Sequence, residues 1–189
     1  MAIKITITVY LWAVSSNDAE TIVSALNNYR GRINADVAMF HDANGKYVTS
    51  TMNENKPASE KAIGMLIDVA MVKGGATGLI VLNDVPQQLV VLPVKAPLLT
   101  GWVTMGFAID NELAKRMHKL ADLEVTFLQK NVDGKWVSVA TTLDNLSITT
   151  LLAASQRLSS HDIYESEIKL NRTLYSTRYV KLPLPLVGK

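Results

Sequence analysis

Two stretches of this chain predict nearly the same order of strands and helices. In the first, β-branched and alternating segments indicate five strands, and a helical stripe interrupts them after the second strand. The predicted strands are Ala35–His41, Lys46–Thr51, Thr77–Leu82, Gln88–Val94 and Gly101–Ile109, and the helix runs from Ser59 to about Val72. Short turns such as "DANG" favour sequential hairpins, so we expect an antiparallel sheet with a helix over one face.

A further helix is predicted before this stretch, and a linking helix after it. The letters "SSND" provide capping residues for a helix at Ala19–Tyr29, and Gly31 is expected to end it. Asp110 is expected to cap the linking helix, Asn111–Leu120.

The second stretch repeats the order of the first but lacks its last strand. Its predicted strands are Leu123–Gln129, Trp136–Thr142, Tyr164–Leu170 and Thr173–Leu182, with a helix that follows Asp144. This order is that of a PAS-like fold, in which the last strand lies between the first and the fourth. Without that strand the second sheet would be split.

One strand-like segment has no place in either repeat. In Ile3–Leu11 ("IKITITVYL") the large apolar side chains alternate with lysine, threonine and tyrosine, which is typical of a strand. We expect it to complete the second sheet, either within the chain or from a partner molecule. The alternatives are the end of a longer helix and an ordinary edge strand.

The composition is that of a globular chain and excludes several classes. The 189 residues are 48% apolar and 19% charged, the net charge is +2, and there is no cysteine. A core can therefore be buried, while disulfides and thiolate sites are excluded. Because no basic cluster is present, nucleic-acid binding is not expected. No apolar stretch is long enough to span a bilayer and no cleavable signal is evident.

No catalytic, metal or cofactor site is predicted. The three histidines, His41, His118 and His161, have no short-spaced pairing, so a metal site would need ligands from distant segments. The glycines of "GGATG" (Gly74–Gly78) follow a helix and open a strand, which is the reverse of a phosphate loop. We interpret them as a helix stop.

A small-molecule pocket is predicted between the first sheet and the element that covers it. Trp102 and Thr104 share one face of the last strand with Gly106, whose missing side chain could leave room for a ligand. Tyr47 and Thr49 share a parity on the second strand. The alternative is that Trp102 belongs to the core and that Gly106 relieves a packing contact.

These elements resemble the double Cache sensor domains of bacterial transmembrane receptors, in particular those that precede diguanylate cyclase and phosphodiesterase domains. Three stretches carry the resemblance: "DAETIVSALNNYRGRINADVAMFHDANGKYVTST" (Asp18–Thr51), "GGATGLIVLNDVPQQLVVLPVKAPLLTGWVTMGFAIDNELA" (Gly74–Ala114) and "VSVATTLDN" (Val137–Asn145). The Tyr-x-x-Arg-x-Trp type signature of relatives that sense amino acids is absent, so amino-acid sensing is not supported.

The resemblance implies an α+β fold of two tandem PAS-like modules, each an antiparallel sheet with a helix cover, preceded by an N-terminal helix. Residues 17–109 would hold that helix and the membrane-distal module. Residues 110–189 would hold the linker helix and the incomplete membrane-proximal module. No enzymatic activity is expected within the chain, because any output would lie beyond the membrane.

The resemblance also implies a periplasmic part of an inner-membrane receptor that binds an unknown small molecule and forms a homodimer. It would reach the membrane only through segments outside this chain. The alternative is a ligand-free module for dimerisation or protein interaction, for example with a periplasmic binding protein.

Overall fold

The computed structural model describes residues 18–52, 59–82, 85–95, 97–156 and 163–182. These residues divide into two compact units, the first ending at Ala108 and the second beginning at Ile109. The predicted strand Ile3–Leu11 lies outside the described residues.

The first unit is an antiparallel sheet with a helix on each face. Its elements in chain order are α1 (Ala19–Ile33), β1 (Val37–Asp42), β2 (Tyr47–Ser50), α2 (Glu60–Lys73), β3 (Ala76–Leu82), β4 (Val85–Lys95) and β5 (Leu99–Ala108). The described strands are arranged in the order β2-β1-β5-β4-β3, and all neighbours are antiparallel. The last strand therefore lies between the first and the fourth, as predicted.

Helix α1 covers one face of this sheet. The Asp18 side chain caps the helix by accepting from the Glu20 amide at 3.1 Å. Ile22 and Leu26 are buried against Phe40 and neighbouring side chains of the central strands. The helix continues through Gly31, and Asn34 ends it with a left-handed φ of 53°. The prediction that Gly31 ends the helix was wrong, because asparagine can also adopt this conformation.

Helix α2 covers the opposite face and encloses the larger part of the core. Ile63, Leu66, Ile67 and Ala70 pack against buried residues of the strands, among them Met39 and Trp102. Gly74 ends the helix with a φ of 76°, as the helix-stop interpretation of "GGATG" predicts. At the other end the Ser59 hydroxyl donates to the Val81 carbonyl at 2.6 Å instead of capping the helix.

Among the described residues, the second unit contains two separate antiparallel hairpins and two helices. Its elements are α3 (Asn111–Ala121), β6 (Thr126–Lys130), β7 (Trp136–Thr141), α4 (Asn145–Ser155), β8 (Ile163–Leu170) and β9 (Thr173–Val180). Among the described residues β6 pairs only with β7, and β8 only with β9. Asp110 caps α3 through the Leu113 amide at 2.8 Å, as predicted.

The predicted fold class is confirmed. The chain is α+β, with an N-terminal helix, antiparallel sheets and helix cover in each unit. Among the described residues, the strands of the second unit form two separate hairpins. The strand limits were less accurate: β4 extends from Val85 to Lys95, beyond the predicted Gln88–Val94, because Pro86 still aligns with Val81 of β3.

Candidate functional site

The sheet face beneath α2 carries four buried polar side chains with unsatisfied hydrogen-bonding atoms. These atoms are His41 Nδ1, Gln87 Oε1, Trp102 Nε1 and Thr104 Oγ1, and none has a hydrogen-bond partner among the described residues. Buried polar atoms without partners are rare in proteins, because each costs about 1–3 kcal/mol. They therefore identify this face as the candidate site.

The strand register explains why these side chains share one face. Directly opposed residues of antiparallel strands point to the same side of a sheet. His41 of β1 lies opposite Trp102 of β5, and Thr104 lies between Met39 of β1 and Val91 of β4. Met39, Val91 and Trp102 all belong to the core cluster beneath α2.

Two of the four predicted pocket residues are buried in the site. Trp102 is 3% exposed and Thr104 is fully buried. Tyr47 is half-buried at the edge of the site, where it lies opposite His41, and the two rings meet edge to face with centroids 5.8 Å apart. Tyr47, His41 and Trp102 thus form a row of rings across three strands.

Thr49 is separated from this row by a β-bulge. The register of β1 and β2 shifts so that Tyr47 lies opposite His41 while Thr49 lies opposite Phe40. Phe40 belongs to the cluster that packs against α1, on the other face of the sheet. The equal parity of Tyr47 and Thr49 does not give them a common face, because the extra residue of a bulge interrupts the alternation.

Gly106 does not leave room for a ligand. A Cβ atom on Gly106 would collide with Val37 Cγ1, and it would lie 2.9 Å from Leu89 Cδ2 and 3.2 Å from Gln87 Oε1. The space above this glycine is therefore filled by side chains of the two neighbouring strands. The prediction of a gap at Gly106 was wrong. The alternative fits the position, because the absence of a side chain at Gly106 lets the neighbouring side chains pack there.

His41 is uncharged in this environment at neutral pH. Burial lowers its pKa from 6.5 to about 4, and the carboxylates of Asp42 and Glu60 oppose this effect only in part. A neutral imidazole presents one donor and one acceptor nitrogen.

Among the described residues, the other candidates from the sequence do not form a second site. His118 Nδ1 lies 2.9 Å from the Leu123 carbonyl at the end of α3, and His161 lies outside the described residues. Across the part of the chain that the structure describes, no group of three or more histidine, aspartate or glutamate residues could hold a metal ion. An open depression on α1, lined by Ala19 and Val23 among others, contains none of the unpartnered atoms.

His41 and Gln87 are site residues that sequence reasoning missed. His41 shares its parity with Val37 and Met39, both of which are buried, so the alternation of β1 already placed it on the core face. Its position at a predicted hairpin turn suggested solvent exposure instead. Gln87 had no comparable signal, because it fell within a segment interpreted as a loop.

A five-stranded sheet of this order between two helices, followed by a second unit of related order, defines a Cache-type sensor domain. The profile of the family described as "Double sensory domain of two-component sensor kinase" matches residues 11–174. The chain belongs to this family of double sensory domains.

Solved structures of the same fold include the periplasmic domain of LuxQ from Vibrio cholerae. The two share 10% sequence identity with a TM-score of 0.55, and the match covers 89% of this chain and 83% of the LuxQ chain. At this identity the similarity concerns the fold. A search of curated protein sequences finds no match. Among the described residues, no helix is both long and apolar enough to cross a membrane.

Proposed function

We propose that this chain is the extracytoplasmic sensor of a transmembrane receptor and binds a small molecule in its first unit. The proposal depends mainly on Trp102 and Thr104, two buried polar side chains whose hydrogen-bonding atoms have no partner among the described residues. A ligand between the sheet and α2 would satisfy these atoms and recover the cost of burying them. Tyr47 lies at the edge of the same sheet face, while Thr49 lies outside it.

Signal transmission follows from differential binding. A ligand shifts a receptor between two states only as far as it binds one of them more tightly. We infer that the receptor is a homodimer, that closure of α2 over the ligand biases the two states, and that the change passes through the membrane to a cytoplasmic output domain.

Native mass spectrometry of the freshly purified chain tests ligand binding directly. We expect a small molecule to be retained, and we expect Trp102→Phe to reduce its occupancy because that change removes the Nε1 donor but keeps an aromatic ring. Trp136→Phe in the second unit is the matched control and should retain the ligand. A ligand-library thermal-shift screen then identifies binders, because ligands that prefer the folded state raise its Tm. Equal occupancy in the Trp102 and Trp136 variants would refute a pocket at Trp102.

The output domain requires a separate experiment on the full-length receptor. The resemblance of residues 18–145 favours a diguanylate cyclase or phosphodiesterase output, whereas the family description refers to sensor kinases. Purified receptor in membranes should change the level of cyclic di-GMP in the first case. In the second case it should incorporate phosphate from ATP into a histidine.

The open strand edges of the second unit support a second candidate function, that of an interaction or dimerisation module. Among the described residues, nothing pairs with the outer edge of β6 or of β9. Unpaired strand edges recruit further strands through backbone hydrogen bonds. Ile3–Leu11 has the alternation of such a strand and could be supplied by the same chain or by a partner copy. A dimer that retains no small molecule in native mass spectra would favour this function.

A further inference from the structure

Side chains from α3 and from the end of α4 occupy the outer edge of β7. In an antiparallel pair, the backbone N–H and C=O of a residue either both face the partner strand or both face away from it. The Thr142 amide donates to the Val125 carbonyl at 2.9 Å, so the preceding residue, Thr141, faces away from β6. The Thr141 amide donates instead to Asn111 Oδ1 at 2.9 Å. Asn111 of α3 therefore occupies a position that a further strand on β7 would need.

Gln156 closes the other end of the same edge. Its Oε1 accepts from the Trp136 amide and its Nε2 donates to the Trp136 carbonyl, both at 3.3 Å. The side-chain amide thus makes the two hydrogen bonds that a neighbouring strand would make with Trp136. Between these two positions the register of β7 shifts and leaves Val139 without an opposite residue in β6. Such a bulge further hinders the pairing of an edge strand.

The outer edge of β6 differs from that of β7. Because Lys130 lies opposite Trp136 and Thr126 lies opposite Thr141, the alternation directs the backbone groups of Thr126, Leu128 and Lys130 to this outer edge. The extra residue of the bulge belongs to β7, so the row in β6 is regular. No strand among the described residues pairs with it. A regular row of unpaired donors and acceptors is a template for a further strand.

The first unit shows the direction that a strand on this edge takes. The Thr51 amide donates to the Ala38 carbonyl at 2.9 Å, and the Ala38 amide donates to Thr51 Oγ1 at 3.0 Å. Thr142 makes the same two hydrogen bonds with Val125, both at 2.9 Å. β6 is therefore the counterpart of β1, whose second edge pairs antiparallel with β5. A strand added to β6 should likewise run antiparallel to it.

We propose that Ile3–Leu11 pairs antiparallel with β6, and that Asn111 and Gln156 prevent it from pairing with β7. Six of the nine residues of this segment are isoleucine, threonine or valine, and none is glycine or proline. Its length is close to that of β5, which has ten residues. This assignment rests on the second candidate function and specifies the edge, the strand direction and the residues that select the edge.

Cysteine cross-linking of the full chain tests the edge, because the chain has no cysteine of its own. Gln129 of β6 and Val137 of β7 are directly opposed. A strand on β6 would lie about 5 Å from Gln129 and about 10 Å from Val137, and a disulfide needs Cα atoms within about 7 Å. We expect a cysteine at Lys4, Thr6 or Thr8 to form a disulfide with Gln129→Cys. The same cysteines should not react with Val137→Cys.

Removing the two side-chain caps tests their role separately. Asn111→Ala combined with Gln156→Ala should accelerate hydrogen exchange at the Trp136 and Thr141 amides. It should also allow the disulfide with Val137→Cys, because the outer edge of β7 is then open. If this double variant loses its fold, Gln156→Glu replaces it. Glutamate lacks the Nε2 donor and should give the same disulfide in lower yield.

The matched control combines Asn145→Ala with Gln88→Ala, two exposed polar residues away from the edge of β7. This variant should leave both the exchange rates and the disulfide pattern unchanged. If removal of the caps leaves Val137→Cys unreactive, Asn111 and Gln156 do not select the edge.

The remaining outcomes separate this assignment from the interaction function itself. A disulfide with Gln129→Cys alone supports the assignment, and the mass of the product shows whether the same chain or a partner copy supplies the segment. Equal yields with Gln129→Cys and Val137→Cys would refute the choice of edge. If neither position reacts, Ile3–Leu11 is not the added strand. A dimer without a small molecule in native mass spectra would then still support the interaction function, through a different surface.

Discussion

His41 is a buried histidine whose pKa is lowered to about 4, which links the stability of the first unit to pH. The unfolded chain takes up a proton near pH 6.5, but the folded protein remains uncharged at His41 until about pH 4. The contribution of the uncharged His41 to the free energy of unfolding is therefore complete above pH 6.5 and is lost as the pH falls towards 4. Between pH 7 and pH 5 we expect the free energy of unfolding to decrease by roughly 2 kcal/mol.

Urea denaturation at several pH values measures this effect. His41→Gln should remove most of the decrease, because glutamine does not titrate. Met39→Leu, two residues away on the same buried face, is the control and should retain it. An equal decrease in the original protein and in His41→Gln would show that other groups are responsible.

Gly106 offers a second test at the residue scale. Because a Cβ atom there would press on Val37 and Leu89, Gly106→Ala should destabilise the protein by about 1–3 kcal/mol in urea denaturation. Adding Val37→Ala should restore part of that loss, which a double-mutant cycle measures. Gly64→Ala in α2 is the control. A Cβ atom at Gly64 would meet no neighbouring atom within 4 Å, so alanine should stabilise the protein by about 0.5–1 kcal/mol. A neutral Gly106→Ala would contradict the packing described here.

Strand alternation predicted that Trp102 and Thr104 share one face of the last strand, and the pairing of β5 with β1 and β4 places both on the core face. It could not assign Thr49, because a β-bulge depends on the partner strand and is not visible in one segment. Nor could it show that Gly106 is covered, since its neighbours Val37 and Leu89 come from distant parts of the sequence. The missing hydrogen-bond partners likewise became visible only in three dimensions.

At the scale of elements, local signals predicted which helices and strands exist better than where they end. Asp18, Asp110 and Asp144 each cap a helix, because an aspartate can accept from the exposed amides of the first turn. The helix α1 ends at Asn34 because asparagine can adopt the left-handed conformation, whereas the extension of β4 to Val85 depends on its pairing with β3, which outweighs the local proline. Competition between tertiary and local contacts also explains why the Ser59 hydroxyl donates to the Val81 carbonyl of β3 and does not cap α2.

The start of α4 is joined to the β8–β9 hairpin through Asp144. This carboxylate accepts from the Ser147 amide at 2.9 Å and from the Asn171 side chain at 3.0 Å. These hydrogen bonds, with those from the Ser147 hydroxyl and the Leu146 amide, lower the pKa of Asp144 to about 2. Asp144→Ala should therefore increase hydrogen exchange in both α4 and the hairpin, whereas Asp133→Ala, in an exposed turn of the same unit, should not.

The pH dependence at Asp144 arises because hydrogen bonds stabilise the charged carboxylate, whereas the pH dependence at His41 arises because burial favours the uncharged imidazole. The unfolded chain protonates Asp144 near its usual pKa of 3.8, while the folded protein keeps it ionised until about pH 2. The stabilisation is present above pH 4 and is lost as the pH falls from about 4 to 2. In Asp144→Asn, the exchange of α4 amides should depend less on pH in that range. Unchanged exchange in both variants would mean that other contacts hold the hairpin against α4.

At the scale of the whole molecule, the repeated order of elements indicated that the second stretch lacks one strand of its sheet, and among the described residues that stretch forms two separate hairpins. The order could not identify what occupies the gap, because many segments with a period of two can pair with the same backbone edge. Ile3–Leu11 remains our proposal for that strand. Its nine residues match the eight residues of β9 in length, and its alternation supplies one apolar and one polar face.

A proline in Ile3–Leu11 tests the proposal, because proline removes an amide donor from a central strand. If this segment joins β6 to β9, Thr6→Pro should greatly accelerate hydrogen exchange at the outer edges of both strands, while the control Ser16→Pro should not. Light scattering then distinguishes the source of the strand. Supply from a partner copy requires a dimer that Thr6→Pro converts to a monomer, whereas supply within the chain leaves the mass unchanged. Fast exchange at both edges in the original protein would show that neither arrangement forms. The unpaired strand edges would then no longer support the interaction-module function.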